Sequence, residues 1–166
     1  MIDNATPGDK LAAELSKEYG VKVLAFKMPA SPSSAIDAAV ALITATMGEI
    51  DVVVANAGIC IHESAENMTD AQFEDTFQVN CFSPFYLARA AHASWYPGGF
   101  KIENVKKEKV ILFVSSISGV IVNIPQLQCG MSSSFVSFGA RLDGRCQFIS
   151  QRTMHPKQRS PCWVNL

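Results

Sequence analysis

Two short, nearly unbroken apolar runs constrain the fold of this chain more than any other feature. They are residues 50–55 (IDVVVA) and 110–114 (VILFV). A strand with one wet face alternates apolar and polar side chains, whereas a strand covered on both faces reads as a continuous run. The stretches before and between these runs have helical spacing instead. Ile36, Ala39, Val40, Ile43 and Met47 fall on one helical stripe, and Gly48 follows it as a stop. Leu11 and Leu15 stand one turn apart in a segment over 9–19 that Gly20 closes. Residues 21–26 (VKVLAF) read as one more strand, and 31–34 as a turn that caps the helix after it. Alternation of helix and buried strand predicts an α/β domain with a parallel sheet.

A longer helix is signalled at Thr69. Gln72 stands three residues on, which gives a capping box, and Met68 and Phe73 occupy the positions of a hydrophobic staple. The helical pattern over 69–92 ends near His92. Residues 96–109 read as a polar connection, with Lys106, Lys107, Glu108 and Lys109 as its solvated rim.

Composition excludes several functions. Apolar residues make 48% of the chain and charged residues 17%, enough to build a core and too apolar for a disordered chain. The formal charge of -1 offers no basic field for nucleic acid. That value hides a division: residues 1–129 carry -5 and residues 130–166 carry +4. No apolar run is long enough to cross a membrane, and the first residues lack the basic and apolar regions of a secretory signal. The five cysteines (Cys60, Cys81, Cys129, Cys146 and Cys162) show no Cys-x-x-Cys spacing, so reduced thiols and a cytoplasmic location are expected. Cys60, His62 and Glu63 lack a second ligand pair, so no metal site is expected.

Three places carry candidate chemistry. Asn56, Ala57 and Gly58 end a buried strand in a turn of small residues, where a ligand could approach the backbone. Asn80 lies four residues before Pro84, which has no N–H to donate to the Asn80 carbonyl, so that carbonyl stays free for water. Ser115 and Ser116 follow the second buried strand at its carboxyl end. An ordinary strand-to-helix turn, a kinked helix and a serine pair in a loop are the plainer readings of the same residues.

Taken together, residues 51–58 (DVVVANAG), Val79-Asn80 and residues 111–119 (ILFVSSISG) resemble the short-chain dehydrogenase/reductase family. Residues 122–128 (VNIPQLQ) draw the likeness toward its fungal NADP-dependent sorbose reductases and mannitol dehydrogenases. The likeness covers about residues 2–129. It implies a three-layer Rossmann-like parallel sheet and hydride exchange between NADP and a polyol or ketose. By the same resemblance, Ser116 orients the substrate carbonyl, with Ser118 as a second candidate. The Asn80 carbonyl holds a relay water, and Asn56, Ala57 and Gly58 flank the adenosine half of the cofactor. The family usually carries Asn where Ala55 stands.

The family pattern also has parts that this chain lacks. None of the ten glycines falls into a Thr-Gly-x-x-x-Gly-x-Gly loop, which would cradle the pyrophosphate. Four residues beyond Tyr19, Tyr86 and Tyr96 stand Val23, Ala90 and Phe100, so no Tyr-x-x-x-Lys is present. The family's Tyr would fall near Met131, its Lys near Phe135 and its adenine-contacting Asp at Pro29. The resemblance therefore implies an incomplete sheet, with the first two and the last strands missing, and loss of reductase activity. In the dinucleotide-binding strand order, two strands belong between residues 21–26 and 50–55, a gap of about 14 Å. That would leave an apolar edge and a marginal fold.

The family likeness stops at Cys129. Gly130-Met131-Ser132 is encodable as GGT-ATG-TCN, which contains the splice-donor string GTATGT. Residues 130–166 then read as translated intron or frame-shifted sequence, or as a genuine disordered tail. Three functional expectations follow. One is an inactive reductase fragment; another is a non-catalytic fragment that joins intact paralogues, or copies of itself, through helix 69–92; the third is a pseudogene or gene-model product without function.

Overall fold

The computed structural model describes residues 8–101, 103, 108–119 and 132. Helix α1 spans Gly8–Tyr19 and stops at Gly20, whose φ of +64° suits glycine far better than any side-chain-bearing residue. Helix α2 spans Ser33–Met47 and stops at Gly48, with φ +89°. Of its expected stripe, Ile36, Val40 and Ile43 are buried and Ala39 is half-buried, but Met47, in the last turn, is exposed. The expected cap at 31–34 is made by backbone alone, with Ala35 N–H donating to the Pro32 carbonyl at 3.0 Å.

Strand β1 is Val52–Ala55 and strand β2 is Val110–Phe113. They pair in parallel, with Val52 beside Val110 and Ala55 beside Phe113. Parallel strands need a crossover between them, and the helical stretch over residues 70–95 supplies it. That stretch opens as helix α3, Asp70–Phe77, behind a complete capping box. Gln72 N–H donates to Thr69 Oγ1 at 3.3 Å, and Thr69 N–H donates to Gln72 Oε1 at 2.9 Å. A π-helical turn, Gln78–Phe82, follows, and helix α4, Ser83–Trp95, completes the crossover.

Helix α4 packs against α2 and against β1. The core forms where they meet: Ile36, Val40 and Ile43 from α2, Val53 from β1, Ala90 and Ala91 from α4, and Ile50. Burying a side chain such as Ile36 completely stabilises the fold by about 1.5–3 kcal/mol. Four of these seven side chains come from segments on either side of the α2–β1 junction, so this core is largely local.

Three expectations need correction. Residues 21–26 form no strand. They are tied to α1, where Val23 N–H donates to Ser16 Oγ at 3.0 Å, and Phe26 and Met28 rest against the core. A strand is defined by its ladder, and the only described sheet is β1 with β2. Second, β2 is not buried on both faces: Val110 is exposed and Ile111, Leu112 and Phe113 are half-buried. Among the described residues it has one neighbouring strand, β1.

Third, Lys109 is no solvated rim residue. Its side chain is only 6% exposed. Register explains why: placing Val52 beside Val110 also brings Asp51 beside Lys109. The Lys109 ammonium lies 2.8 Å from Asp51 Oδ1 and 2.9 Å from Glu49 Oε1, and donates to the Ile50 carbonyl at 3.0 Å. Trp95 Nε1–H reaches the same carbonyl at 2.7 Å. Burial pulls the Lys109 pKa down, but the hydrogen bonds and charges of Asp51 and Glu49 outweigh it, and the net shift is upward. The result is a staple across the amino ends of both strands. Lys106 and Lys107 lie outside the described residues, as do residues 130–166 apart from Ser132.

Candidate functional site

Because β1 and β2 are parallel, their carboxyl ends open on the same side of the sheet. Asn56, Ala57 and Gly58 leave β1 there and are exposed. Val114, Ser115 and Ser116 leave β2 at the same end, where Val114 N–H still donates to the Ala55 carbonyl at 3.0 Å. Ligands of open α/β sheets bind at such carboxyl ends.

Asn80 fixes the geometry of this end. Its Oδ1 accepts from Ile59 N–H at 2.8 Å, and its Nδ2 donates to the Ile59 carbonyl at 2.9 Å. One amide side chain thus holds both main-chain groups of the residue after Gly58, as a neighbouring strand would. A Cβ built on Gly58 would stand 3.4 Å from Asn80 Oδ1, so the close approach leaves little room for a side chain. Asn80 Nδ2 also lies 3.3 Å from Oγ of the fully buried Ser132.

The helix carrying Asn80 departs from α geometry at this residue. Asn80 sits in the middle of the π turn, and Ser83 N–H donates to the Gln78 carbonyl five residues back. Pro84 follows, buried and without a donor for the Asn80 carbonyl. Widened turns of this kind are frequent at functional positions. A further bond, Gln78 Nε2 to the Ala30 carbonyl at 3.2 Å, anchors the same turn to the loop before α2. Burial pushes the Cys81 thiol above its ordinary pKa, so it is a poor nucleophile at neutral pH.

Ser116 is exposed, and its Oγ accepts from Ser118 N–H at 3.2 Å. That bond ties it to the 3₁₀ turn Ile117–Gly119. Ser115 and Ser118 are buried. The structure therefore brings Asn80 directly onto the turn after Gly58 and sets Ser116 on the adjacent strand end. No described hydrogen bond joins Ser116 to Asn80. Two participants carry no signal in the sequence. Ile59 contributes only its backbone, and Ser132 lies in a serine-rich stretch that reads as loop or tail. Among the described residues no cluster of His, Cys, Asp or Glu could hold a metal, and no helix is long and apolar enough to cross a membrane.

A family model described as short chain dehydrogenase matches residues 1–132. The chain belongs to the short-chain dehydrogenase family. An uncharacterised oxidoreductase of Schizosaccharomyces pombe is 33% identical over 134 residues, covering 81% of this chain and 48% of that one. The sorbose reductase of Candida albicans is 30% identical over 158 residues, covering 84% of this chain and 53% of that one. Among solved structures, the NADPH-dependent 3-quinuclidinone reductase of Rhodotorula rubra superposes with a TM-score of 0.68 at 27% identity, over 80% of this chain and 48% of that one. The two-stranded parallel sheet with its helices is thus an incomplete Rossmann-like fold. This short-chain dehydrogenase chain spans about half the length of the curated relatives it matches.

Its residues fit a dinucleotide on one flank only. The exposed turn of Asn56, Ala57 and Gly58 offers close backbone approach at a strand end. The 166 residues hold no glycine-rich loop to receive the pyrophosphate.

Proposed function

We propose that this chain is a partial NADP(H)-dependent reductase of the polyol or ketose type, without turnover of its own. The observation that best supports this reading is the two-way bond of Asn80 to Ile59. It preserves the turn beside a cofactor cleft in a chain with no Tyr-x-x-x-Lys. In this reading Ser116 donates a hydrogen bond to the substrate carbonyl, and the Asn80 carbonyl holds a relay water. Asn56, Ala57 and Gly58 flank the adenosine side. NADPH would supply the hydride and leave as NADP+. Proton transfer would need a Tyr and a Lys, and residues 1–166 hold no Tyr-x-x-x-Lys, near Met131 and Phe135 or elsewhere. The names of the sorbose reductase and the NADPH-dependent reductase above favour this substrate class and cofactor.

Residues 1–129 are then the partial domain and residues 130–166 a tail foreign to it, in a protein of the cytoplasm. Comparing transcript with gene across codon 130 tests the boundary. A spliced message that reads continuously through Leu166 would refute the intron origin. Oxidation of NADPH with fructose or sorbose tests the activity.

A second reading, association with intact paralogues through 69–92, draws on the apolar surface there. Phe73, Phe82 and Phe85 are 37%, 45% and 57% exposed. Co-purification with a full-length relative tests it.

A further inference from the structure

Three segments far apart in the chain meet at one side-chain amide. Asn80 lies 21 residues from Ile59 and 52 from Ser132. A carboxamide has two donor hydrogens on its nitrogen and an acceptor oxygen. Asn80 Oδ1 takes the Ile59 N–H at 2.8 Å, and Nδ2 donates to the Ile59 carbonyl at 2.9 Å and to Ser132 Oγ at 3.3 Å. The number of bonds from Nδ2 matches its number of hydrogens. The amide is therefore held from two sides, by the residue after Gly58 and by Ser132.

The two sides differ in their access to water. Gly58 and Ile59 are exposed, so water competes for the bonds made there. Ser132 is fully buried, and its bond to Asn80 is partly buried. A buried polar group that loses its partner has no water to turn to, so this bond is the hardest of the three to replace. The pairing with Ile59 also needs one orientation of the amide. Turned over, Nδ2 would face the Ile59 N–H and Oδ1 the Ile59 carbonyl, and both bonds would be lost. The backbone beneath is already fixed, because Gln78 Nε2 anchors the π turn to the Ala30 carbonyl at 3.2 Å. What is left to restrain is the Asn80 side chain itself, and Ser132 reaches it from the interior.

We propose that Ser132 is a positioning residue of this site: through Asn80 it sets the place of Ile59, and with it the turn of Asn56, Ala57 and Gly58. A Cβ on Gly58 would stand only 3.4 Å from Asn80 Oδ1, so the turn lies against the amide and follows it. The role goes beyond the reading of residues 130–166 as a tail foreign to the domain: whatever their origin, Ser132 works for the site. That the turn flanks the adenosine half of NADP(H) rests on the function proposed above.

The test is amide hydrogen exchange and NADP+ titration, both followed by NMR, of the whole chain and of its Ser132→Ala variant. Ile59 N–H reports on the Asn80 amide. Val110 N–H, which donates to the Asp51 carbonyl at 3.1 Å at the far end of the sheet, reports on the fold. Ser132→Ala is expected to speed exchange at Ile59 by about three- to tenfold, the equivalent of one ordinary hydrogen bond, and to leave Val110 as it was. The NADP+ concentration that half-shifts the Ala57 and Gly58 resonances rises by a similar factor. In an Asn80→Ala background the same change leaves Ile59 exchange unaltered, because the effect passes through Asn80. An unchanged Ile59 rate would overturn the proposal, as would Ile59 and Val110 speeding together, or an effect at Ile59 that persists without the Asn80 amide. Faster exchange at Ile59 with the NADP+ response intact would also overturn it, since the bond would then serve the fold alone. NADP+ that leaves Ala57 and Gly58 of the parent unmoved would instead refute the cofactor reading of the turn, while Ile59 exchange still decides whether Ser132 sets it.

Discussion

Asn80 does at the scale of one residue what a strand does at the scale of an element: it pairs both main-chain groups of Ile59. These bonds lie toward solvent, so water replaces part of what is lost when they are removed. Asn80→Leu is expected to lower stability by about 1 kcal/mol, and Asn80→Asp, which keeps the acceptor for Ile59 N–H but sets a carboxylate oxygen against the Ile59 carbonyl, by at least as much. Urea midpoints of the three proteins check this ranking. Lys109 is the other residue with an outsized role. Its carboxylate partners are more than half exposed, so Lys109→Met is expected to lose only about 1 kcal/mol. The raised pKa gives the pH signature. The native state holds this proton more tightly than the unfolded chain does. The stabilisation is therefore complete below the ordinary lysine value of about 10.4 and is lost as pH rises through the folded value. Thermal unfolding of the parent should weaken across that alkaline window, and the Lys109→Met protein should weaken less.

Among elements, the helices were legible because their signals are local. The Thr69–Gln72 capping box lies where the pattern put it, and Gly20 and Gly48 end their helices at positive φ. Thr69→Ala is expected to lower stability by about 1 kcal/mol through loss of the cap. Gly48→Ala meets no steric obstacle but forces a side-chain residue to φ +89°, so a similar loss of about 1–2 kcal/mol is expected. Chemical denaturation of each variant measures both. What depends on partners was not legible. Residues 21–26 have the composition of a strand, yet a ladder needs a neighbour that composition cannot supply. Lys109 reads as surface in a run of charges, and only the register of β1 on β2 buries it. The site divides the same way. Asn80 and the turn at 56–58 stand out in the sequence. The bond between them runs to the backbone of Ile59, and a backbone group has no letter.

For the whole molecule, the chain belongs to the short-chain dehydrogenase family, spans about half the length of the curated relatives it matches and forms an incomplete Rossmann-like fold. Its helices α2 and α4 and strand β1 make a local core, while among the described residues β1 and β2 have only each other as ladder partners. The apolar surface at Val21, Leu24, Phe73, Phe82 and Phe85 is what an incomplete domain leaves uncovered. A broad, weakly cooperative urea transition is expected for the chain alone; a sharp two-state transition of a soluble monomer would count against incompleteness. We propose that the turn at Asn56, Ala57 and Gly58 and the hydroxyl of Ser116 belong to a reductase site for which residues 1–166 hold no Tyr-x-x-x-Lys to move the proton. The most direct measurement is NADPH oxidation by the purified 166-residue chain with fructose or sorbose, followed against a blank without protein. No oxidation above the blank is the predicted result; turnover that scales with the concentration of the chain would contradict it.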